Sequence, residues 1–143
     1  MTSFQVTFDA ADPAALGEFW AIALGYVVPP PPPGHDSWDD WARAEGIPEE
    51  NWNDARALVD PGGSGPRIFI QRVPEPKVAK NRVHLDLNVG GGPGTPLEER
   101  RRRVAARAAD LEAAGATVVG PMEVRDEYWM VMQDPEGNEF CLH

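Results

Sequence analysis

Hydrophobic and polar residues alternate along two segments of the chain. Residues 4–9 alternate Phe, Val and Phe with Gln, Thr and Asp, and residues 83–89 alternate Val and Leu with His, Asp and Asn. A period of two places the apolar side chains on one face of an extended strand and the polar ones on the other. The pattern therefore predicts two strands, each with one buried and one wet face.

A helical pattern follows each of these strands. Asp12 predicts an N-cap for a helix that begins at Pro13, and Thr95 with Glu98 predicts a capping box for a second helix that begins at Pro96. Apolar residues then recur at intervals of three and four, as on the buried face of a helix, and a glycine ends each pattern. Both halves of the chain thus begin with a strand and a helix.

The remainder of each half also repeats. Short strands are predicted at 26–28 and 117–119, each ended by proline, and Asp-Pro-x-Gly turns at 60–63 and 134–137 each join two further strands. The predicted fold class is α+β, with two βαβββ repeats that form a partly rolled eight-stranded mixed sheet. We expect a single domain over 1–143, with one repeat at 1–76, an insertion at 29–54 and a second repeat at 80–143.

A duplicated unit predicts that equivalent residues face each other across a shared cleft. These pairs are Gln5 with His84, Phe69 with Cys141 and Gln71 with His143. Asp86 is expected on the same wet face by alternation, and either Trp129 or Tyr128 should face the cleft while the other faces the helix. Gln71 and Asp86 would orient a polar ligand group or pair with their neighbours.

Two residues of this set can carry chemistry. His84 is either a ligand or acid–base group, or a structural histidine satisfied by a hydrogen bond. Cys141 is better explained as a small buried side chain than as a nucleophile, because no cation is adjacent in sequence. Both interpretations of His84 stay open at this level.

The insertion at 29–54 is rich in tryptophan. Trp38 and Trp41 lie three residues apart, which predicts a short amphipathic helix from Ser37. These indoles would either attach the helix to the sheet or form a wall for a ligand. Long loops in compact domains are often lids, so the insertion could also close the cleft.

Charge and composition exclude several partners. The 143 residues carry a formal net charge of −10, which disfavours nucleic acid and anionic membrane surfaces and leaves a neutral or cationic small molecule as the expected partner. Cys141 is the single cysteine, which fits a reducing compartment. With no apolar run of membrane length and no signal-like start, the sequence predicts a soluble, cytoplasmic protein.

The repeat order and the segment Asp134-Pro135-Glu136-Gly137-Asn138-Glu139-Phe140-Cys141-Leu142 resemble the vicinal oxygen chelate superfamily, which includes glyoxalases, extradiol dioxygenases, fosfomycin-resistance enzymes and bleomycin-binding proteins. Residues 67–87 look more narrowly like a glyoxalase-like group common in high-GC actinobacteria. The resemblance implies a homodimer and a divalent metal held from four strand positions. Those positions hold Gln5, Phe69, His84 and Cys141 in this sequence, and Phe69 and Cys141 replace glutamates.

Two functions follow from the residues and the resemblance. The first is a protein that binds a small organic molecule without the full metal site and without a cofactor, with Gln5, Phe69, Gln71, His84, Asp86, Trp129, Cys141, Trp38 and Trp41 as candidate ligand-binding residues. The alternative is a metal-dependent lyase or dioxygenase in which Gln5 and His84 are catalytic and His84, Gln5 and Cys141 hold the metal. The sequence leaves turnover and substrate open.

Overall fold

The computed structural model describes residues 2–143, which cluster into two compact units, Met1–Pro76 and Lys77–His143. The first unit contains β1 (Gln5–Ala10), α1 (Pro13–Leu24), α2 (Trp38–Ala44), a short 3-10 helix (Glu49–Asn51), β2 (Ala55–Leu58) and β3 (Arg67–Arg72). The second contains β4 (Asp86–Leu87), α3 (Leu97–Ala113), β5 (Thr117–Val124), β6 (Glu127–Gln133) and β7 (Glu139–Leu142). The predicted α+β class with mixed sheets is confirmed.

The first unit packs α1 on a three-stranded sheet. Its strand order is β1-β3-β2, with β1 parallel and β2 antiparallel to β3. The carboxylate of Asp12 accepts a hydrogen bond from the backbone N–H of Ala15 at 3.2 Å, which confirms the predicted cap, and Gly25 ends the helix with a φ of 69°. Leu16 and Phe19 of α1 are buried, and each contributes roughly 1.5–3 kcal/mol by leaving water.

The predicted strand at 26–28 is reduced to one bridge. Val27 pairs with Val59 through reciprocal backbone hydrogen bonds of 3.0 and 2.9 Å. The run of prolines at 29–33 has no N–H groups to extend the ladder. Residues 2–143 therefore hold seven strands and this bridge.

The second unit packs α3 on a four-stranded sheet of order β4-β7-β6-β5. The prediction that Gly120-Pro121 stops the strand after α3 is wrong, because β5 continues to Val124 past a register shift between Val118 and Gly120. β5 lies at the edge of this sheet, where a strand tolerates proline because a missing N–H can face away from the partner strand. Val104 and Leu111 of α3, the helix that packs on this sheet, are fully buried.

The predicted capping box at Thr95 is also wrong. The Thr95 hydroxyl donates to the carbonyl oxygen of Gly92 at 2.8 Å, and α3 begins at Leu97 with Pro96 in the N-cap position. The threonine side chain thus closes the glycine-rich turn before the helix, where a Ser or Thr competes for local backbone groups.

The strand predicted at 83–89 is shorter than its alternation indicated. β4 comprises two residues, so His84 precedes it, although backbone bonds from Cys141 N to Leu85 O and from Val89 N to His143 O continue the pairing with β7. Among residues 2–143, none of the three helices has the length and apolar character needed to cross a bilayer.

Candidate functional site

A pocket of about 670 Å³ lies in the first unit, which we call the tryptophan pocket. Its volume falls within the range of small-molecule sites, roughly 300–1,000 Å³. It is lined by side chains from α1, from β2 and β3 and from the predicted insertion, among them Trp38, Trp41, Trp52, Asp39, Glu49, Asn53, Asp54, Arg56, Arg67 and Phe69. Three of the five tryptophans of the chain thus meet in one place.

Local hydrogen bonds fix the indoles of this pocket. The hydroxyl of Ser37 accepts from the backbone N–H of Asp40 at 3.0 Å and caps α2, so the predicted helix from Ser37 is confirmed. The indole N–H of Trp38 donates to the carbonyl oxygen of Pro29 at 2.8 Å, and the Trp41 ring packs edge-on against Trp38 at 5.4 Å. Because a backbone carbonyl satisfies the indole donor, the Trp38 ring presents apolar surface.

Trp52 completes this wall. Its indole N–H donates to the Ile47 carbonyl oxygen at 3.0 Å, and the guanidinium of Arg43 lies 4.9 Å from its ring centre. A cation at that distance is attracted by the negative face of an indole ring. The Trp52 ring therefore already accepts one cation on its surface.

Charged groups of both signs border the tryptophan pocket. Arg67 is engaged, because its guanidinium donates to the side-chain oxygen of Gln5 and lies 5.3 Å from the Phe69 ring. Asp54 pairs with Arg72 at 3.4 Å. In the part of the chain that the structure describes, the carboxylates of Asp39 and Glu49 have no ion-pair partner. Arg56 also lines the pocket and has no ion-pair partner among the described residues, so the lining holds three carboxylates against two guanidinium groups, an excess of one negative charge.

Two predicted site residues of the first unit, Gln5 and Gln71, bond to side chains of their own sheet and do not line this pocket. Gln5 is exposed at the start of β1, with its amide N–H 3.4 Å from the Thr7 hydroxyl and its carbonyl oxygen bonded to Arg67. The Gln71 amide donates to the carboxylate of Asp9 at 2.8 Å. Both glutamine side chains therefore have partners within their own sheet.

His84 is exposed and lies before β4 rather than within a strand. Its Nε2 is 3.2 Å from the carbonyl oxygen of Asn81, a contact that suits the tautomer with a proton on Nε2. The predicted facing of His84 and Gln5 across a cleft stays a prediction.

Three other side chains of the second unit converge, and we call them the Asp-Cys-His cluster: Asp86, Cys141 and His143. One potential ligand atom from each lies within 4.8 Å of the others. Asp86 is directly opposite Cys141 in the parallel pairing of β4 with β7, and His143 follows two residues later on the same face. His143 Nε2 is 3.7 Å from the Asp86 carboxylate.

The environment of Cys141 favours the protonated thiol over the thiolate. Burial raises the pKa of its thiol, and the neighbouring Asp86 carboxylate raises the pKa further by charge and by accepting a hydrogen bond. Cys141 is buried as predicted, and the interpretation that it is not a nucleophile stays a prediction.

Trp129 and Tyr128 lie on opposite faces of β6. The Trp129 ring stacks on His143 with 5.7 Å between ring centres and an interplanar angle of 9°. Tyr128 instead lies 5.9 Å from the guanidinium of Arg101 on α3. Tyr128 is therefore the residue on the helix side, and Trp129 belongs to the face that carries the Asp-Cys-His cluster.

Glu139 lies on β7 two residues before Cys141 but is fully engaged. Its carboxylate accepts from the backbone N–H of Asn81 at 2.9 Å and pairs with the Lys77 ammonium at 3.1 Å. The Asn81 hydrogen bond is the main reason that the pKa of Glu139 falls to about 2. This carboxylate holds the chain that leads into β4 and is not a candidate ligand.

The metal implied by the resemblance does not fit the residues at its four positions. Phe69 has a phenyl ring and no donor atom, and the Gln5 carbonyl oxygen is bonded to Arg67. Cys141 replaces a hard carboxylate with a soft sulfur, which disfavours manganese, magnesium and iron of the oxygen-ligand type. The donor set does not rebuild the family's site.

Sequence reasoning paired His143 with Gln71 but did not assign it to a site, and it assigned neither Trp52 nor Arg67. Trp52 and Arg67 line the tryptophan pocket, and His143 joins the Asp-Cys-His cluster. His143 lies two residues after Cys141, and Arg67 two residues before Phe69, so strand alternation was an available signal for both. Trp52 reaches the pocket from an irregular segment, where no periodicity predicts direction.

The chain is similar to a known family in sequence and to solved structures in fold. A family model described as a glyoxalase-like domain matches residues 5–143. No curated protein has a matching sequence. A glyoxalase/bleomycin resistance protein/dioxygenase family enzyme from Burkholderia phytofirmans PsJN is similar in structure, with a TM-score of 0.61, 20% identity, and coverage of 96% of this chain and 94% of that one.

Two further solved structures are similar. A glyoxalase/bleomycin resistance protein from Albidiferax ferrireducens T118 has a TM-score of 0.56 and 18% identity, over 99% of this chain and 96% of that one. A fosfomycin resistance protein, FosX, from Listeria monocytogenes, complexed with Mn(II) and dihydroxypropylphosphonic acid, has a TM-score of 0.61 and 13% identity, over 100% and 90%. These likenesses show a shared fold.

Proposed function

Because the chain belongs to the glyoxalase-like domain family of the vicinal oxygen chelate superfamily, we propose that it binds a small organic cation with a flat apolar body in the tryptophan pocket. The observation that carries the proposal is the pocket itself, about 670 Å³ walled by three indoles. Binding without turnover is proposed, since the residues at the family's metal positions do not fit a metal.

The shape of the wall supports a flat ligand. Trp38 and Trp52 have their N–H groups bonded to backbone carbonyls, so their rings are held in place before any ligand arrives. A preformed wall lowers the entropy cost of binding, and a stacked or edge-on aromatic contact contributes roughly 0.5–1.5 kcal/mol beyond area burial. A planar ring system uses such a wall better than a flexible chain does.

The charge of the lining supports a cation. The lining holds the carboxylates of Asp39, Glu49 and Asp54 against the guanidinium groups of Arg56 and Arg67, an excess of one negative charge, and Arg67 also contacts Gln5 and Phe69. A ligand cation over an indole face gains roughly 0.5–2 kcal/mol. The net charge of −10 also raises the local concentration of cations by long-range attraction.

A charge series tests the proposal. Three probes of one shape, N-methylquinolinium, quinoline at alkaline pH and quinoline carboxylate, are titrated while tryptophan fluorescence is recorded. We expect the cation to bind most tightly and chelator to leave its Kd unchanged. Trp41→Ala should weaken the binding about tenfold, the equivalent of roughly 1.4 kcal/mol.

Trp129→Phe is the matched control, because it removes an indole from the second unit and should leave the Kd unchanged. Tighter binding of the anionic probe would refute the charge argument. Equal binding by Trp41→Ala and the unchanged protein would refute the site. The absence of binding by all three probes would refute the proposed ligand class.

The actinobacterial group, the homodimer and the cytoplasmic location remain predictions. The alternative of a metal-dependent lyase or dioxygenase acting through Gln5 and His84 is not proposed. Gln5 has its carbonyl oxygen bonded to Arg67, and the contact of His84 is the Asn81 carbonyl oxygen.

A further inference from the structure

We propose that the Asp-Cys-His cluster binds a zinc ion through Asp86, Cys141 and His143, with a fourth coordination position open to water or a small ligand. The three residues lie in the second unit, whereas the tryptophan pocket lies in the first. This inference is therefore independent of the proposed function, and it uses only one of the four positions that the resemblance implies.

The backbone fixes the three donors on one face. Asp86 and Cys141 are opposite each other in the register of β4 and β7, and the Cys141 N–H donates to the Leu85 carbonyl oxygen at 3.0 Å. His143 donates its N–H to Leu87 O at 2.9 Å and accepts from Val89 N at 2.7 Å. The main chain at all three donors is thus held by the sheet ladder.

The spacing of the donor atoms is close to that of a zinc site. Ligand atoms at the usual zinc distances of roughly 2.0–2.3 Å in a tetrahedron stand about 3.3–3.8 Å apart. Asp86 and His143 already meet this spacing at 3.7 Å, and all three donors lie within 4.8 Å. The largest remaining separation exceeds the tetrahedral spacing by about 1 Å at most, which zinc binding would have to close by rotation of the side chains.

The donor chemistry selects zinc. A thiolate, an imidazole and a carboxylate together form the nitrogen, sulfur and oxygen set of zinc proteins, whereas magnesium, calcium and manganese prefer oxygen alone. Three protein ligands leave one position of a tetrahedron open. Structural zinc sites, in contrast, are closed by four protein ligands.

The surroundings give the site support and access. The Trp129 ring stacks on His143 and limits the rotation of the imidazole. Cys141 is buried while the Asp86 side chain is exposed, so an ion can enter from the Asp86 side and meet sulfur at the inner end. Residues around a ligand usually contribute to affinity by holding it in orientation.

Cobalt titration tests the site, because the absorption spectrum of bound Co²⁺ shows whether a sulfur atom is a ligand. Full-length protein is stripped with chelator, kept reduced, and titrated with Co²⁺, then with Zn²⁺. We expect thiolate-to-cobalt charge-transfer absorption in the near ultraviolet, intense visible bands of a four-coordinate ion, and loss of both on zinc addition. Cys141→Ser should abolish the charge-transfer band.

Variants assign the other two ligands. His143→Asn and Asp86→Asn should each weaken zinc binding at least about tenfold, since even residues that only support a ligand change metal affinity by about 10–100-fold. His84→Asn is the matched control for an imidazole at the position implied by the resemblance, and His35→Asn for one in the first unit. Both should bind as the unchanged protein does. Circular dichroism checks that each variant is folded.

Three results would overturn the proposal: cobalt binding without a sulfur band, loss of binding in His84→Asn but not in His143→Asn, or no stoichiometric binding at all. None of them bears on the quinolinium titration. Conversely, zinc binding with no response to the cationic probe would refute the proposed function alone.

Discussion

Replacing Asp134 tests whether the turn between β6 and β7 holds the strand that carries the Asp-Cys-His cluster. Asp134 is 3% exposed. Its carboxylate accepts from the backbone N–H groups of Glu136 at 3.0 Å and Asn138 at 2.9 Å, and from the Asn138 side-chain amide at 2.9 Å. Asp134→Ala removes all of these acceptors at once and leaves the donors in place.

The expected loss of stability follows from the number of hydrogen bonds that are removed. A hydrogen bond to a charged group contributes about 1.5–3 kcal/mol, so three bonds give a gross loss well above 4 kcal/mol. Glu136 and Asn138 are half-buried, so water can reach part of their donors and recover some of this energy. We therefore expect the free energy of unfolding to fall by about 2–4 kcal/mol.

Chemical denaturation measures this change, with the midpoint read at an unchanged slope. Asp134→Asn keeps an oxygen for both backbone donors and should cost only about 1 kcal/mol. The matched control is Asp60→Ala in the turn between β2 and β3, where a more exposed aspartate accepts from three backbone N–H groups; its loss should be smaller. A loss under about 1 kcal/mol for Asp134→Ala, or an equal loss for the asparagine variant, would refute the reasoning.

Three further changes have expected outcomes. Because the folded pKa of Glu139 is about 2, below the ordinary value of 4.5, the stabilisation from its ionised form is present above pH 4.5 and is lost as pH falls from 4.5 towards 2. Glu139→Gln should therefore reduce the fall in the free energy of unfolding over that pH range, by less than about 3 kcal/mol. An unchanged acid-unfolding profile would contradict this. Gly65→Ala places a methyl group on the Tyr26 hydroxyl and should lower the melting temperature through about 1–3 kcal/mol of overpacking; an unchanged melting temperature would show that the tyrosine moves freely. Asp12→Ala removes a helix cap and a 2.8 Å hydrogen bond from Asn53, so it should lower the free energy of unfolding in urea by about 1–2 kcal/mol. Because Asn53 lines the tryptophan pocket, the same change should also weaken binding there. Retained affinity would show that the bond between Asp12 and Asn53 does not affect the pocket.

The elements that sequence reasoning predicted well are those with local signals. Asp12 and Pro13 start α1, and Ser37 starts α2, because a cap and the first turn lie within four residues of each other. Pro121 failed as a stop signal because its effect depends on where the strand lies in the sheet, and β5 lies at an edge. Edge position is a property of the fold that no local window contains.

The candidate site divides in the same way. Trp38 and Trp41 share a helix face, so their spacing alone brought them together, and both line the tryptophan pocket. Arg67 was not predicted to bond to Gln5, because that contact joins residues 62 positions apart through the parallel pairing of β1 and β3. His84 was expected within a strand, and the two-residue length of β4 depends on tertiary pairing with β7.

The two repeats use one strand register for different chemistry. In the first, Thr7 stands opposite Phe69, and two residues later Asp9 stands opposite Gln71 and accepts its amide hydrogen bond. That hydrogen bond joins the side chains of two paired strands.

In the second repeat, Asp86 stands opposite Cys141, and the backbone bonds of His143 bracket Asn88, the residue after β4. Here the polar groups at successive levels of β7 meet diagonally, with 3.7 Å between Asp86 and His143, which is too long for a hydrogen bond and suited to an ion between them. A duplicated fold can therefore join two strands through a hydrogen-bonded pair in one copy and gather three potential metal ligands on the equivalent strands of the other copy. If zinc binds, it binds because the register was kept while the side chains diverged.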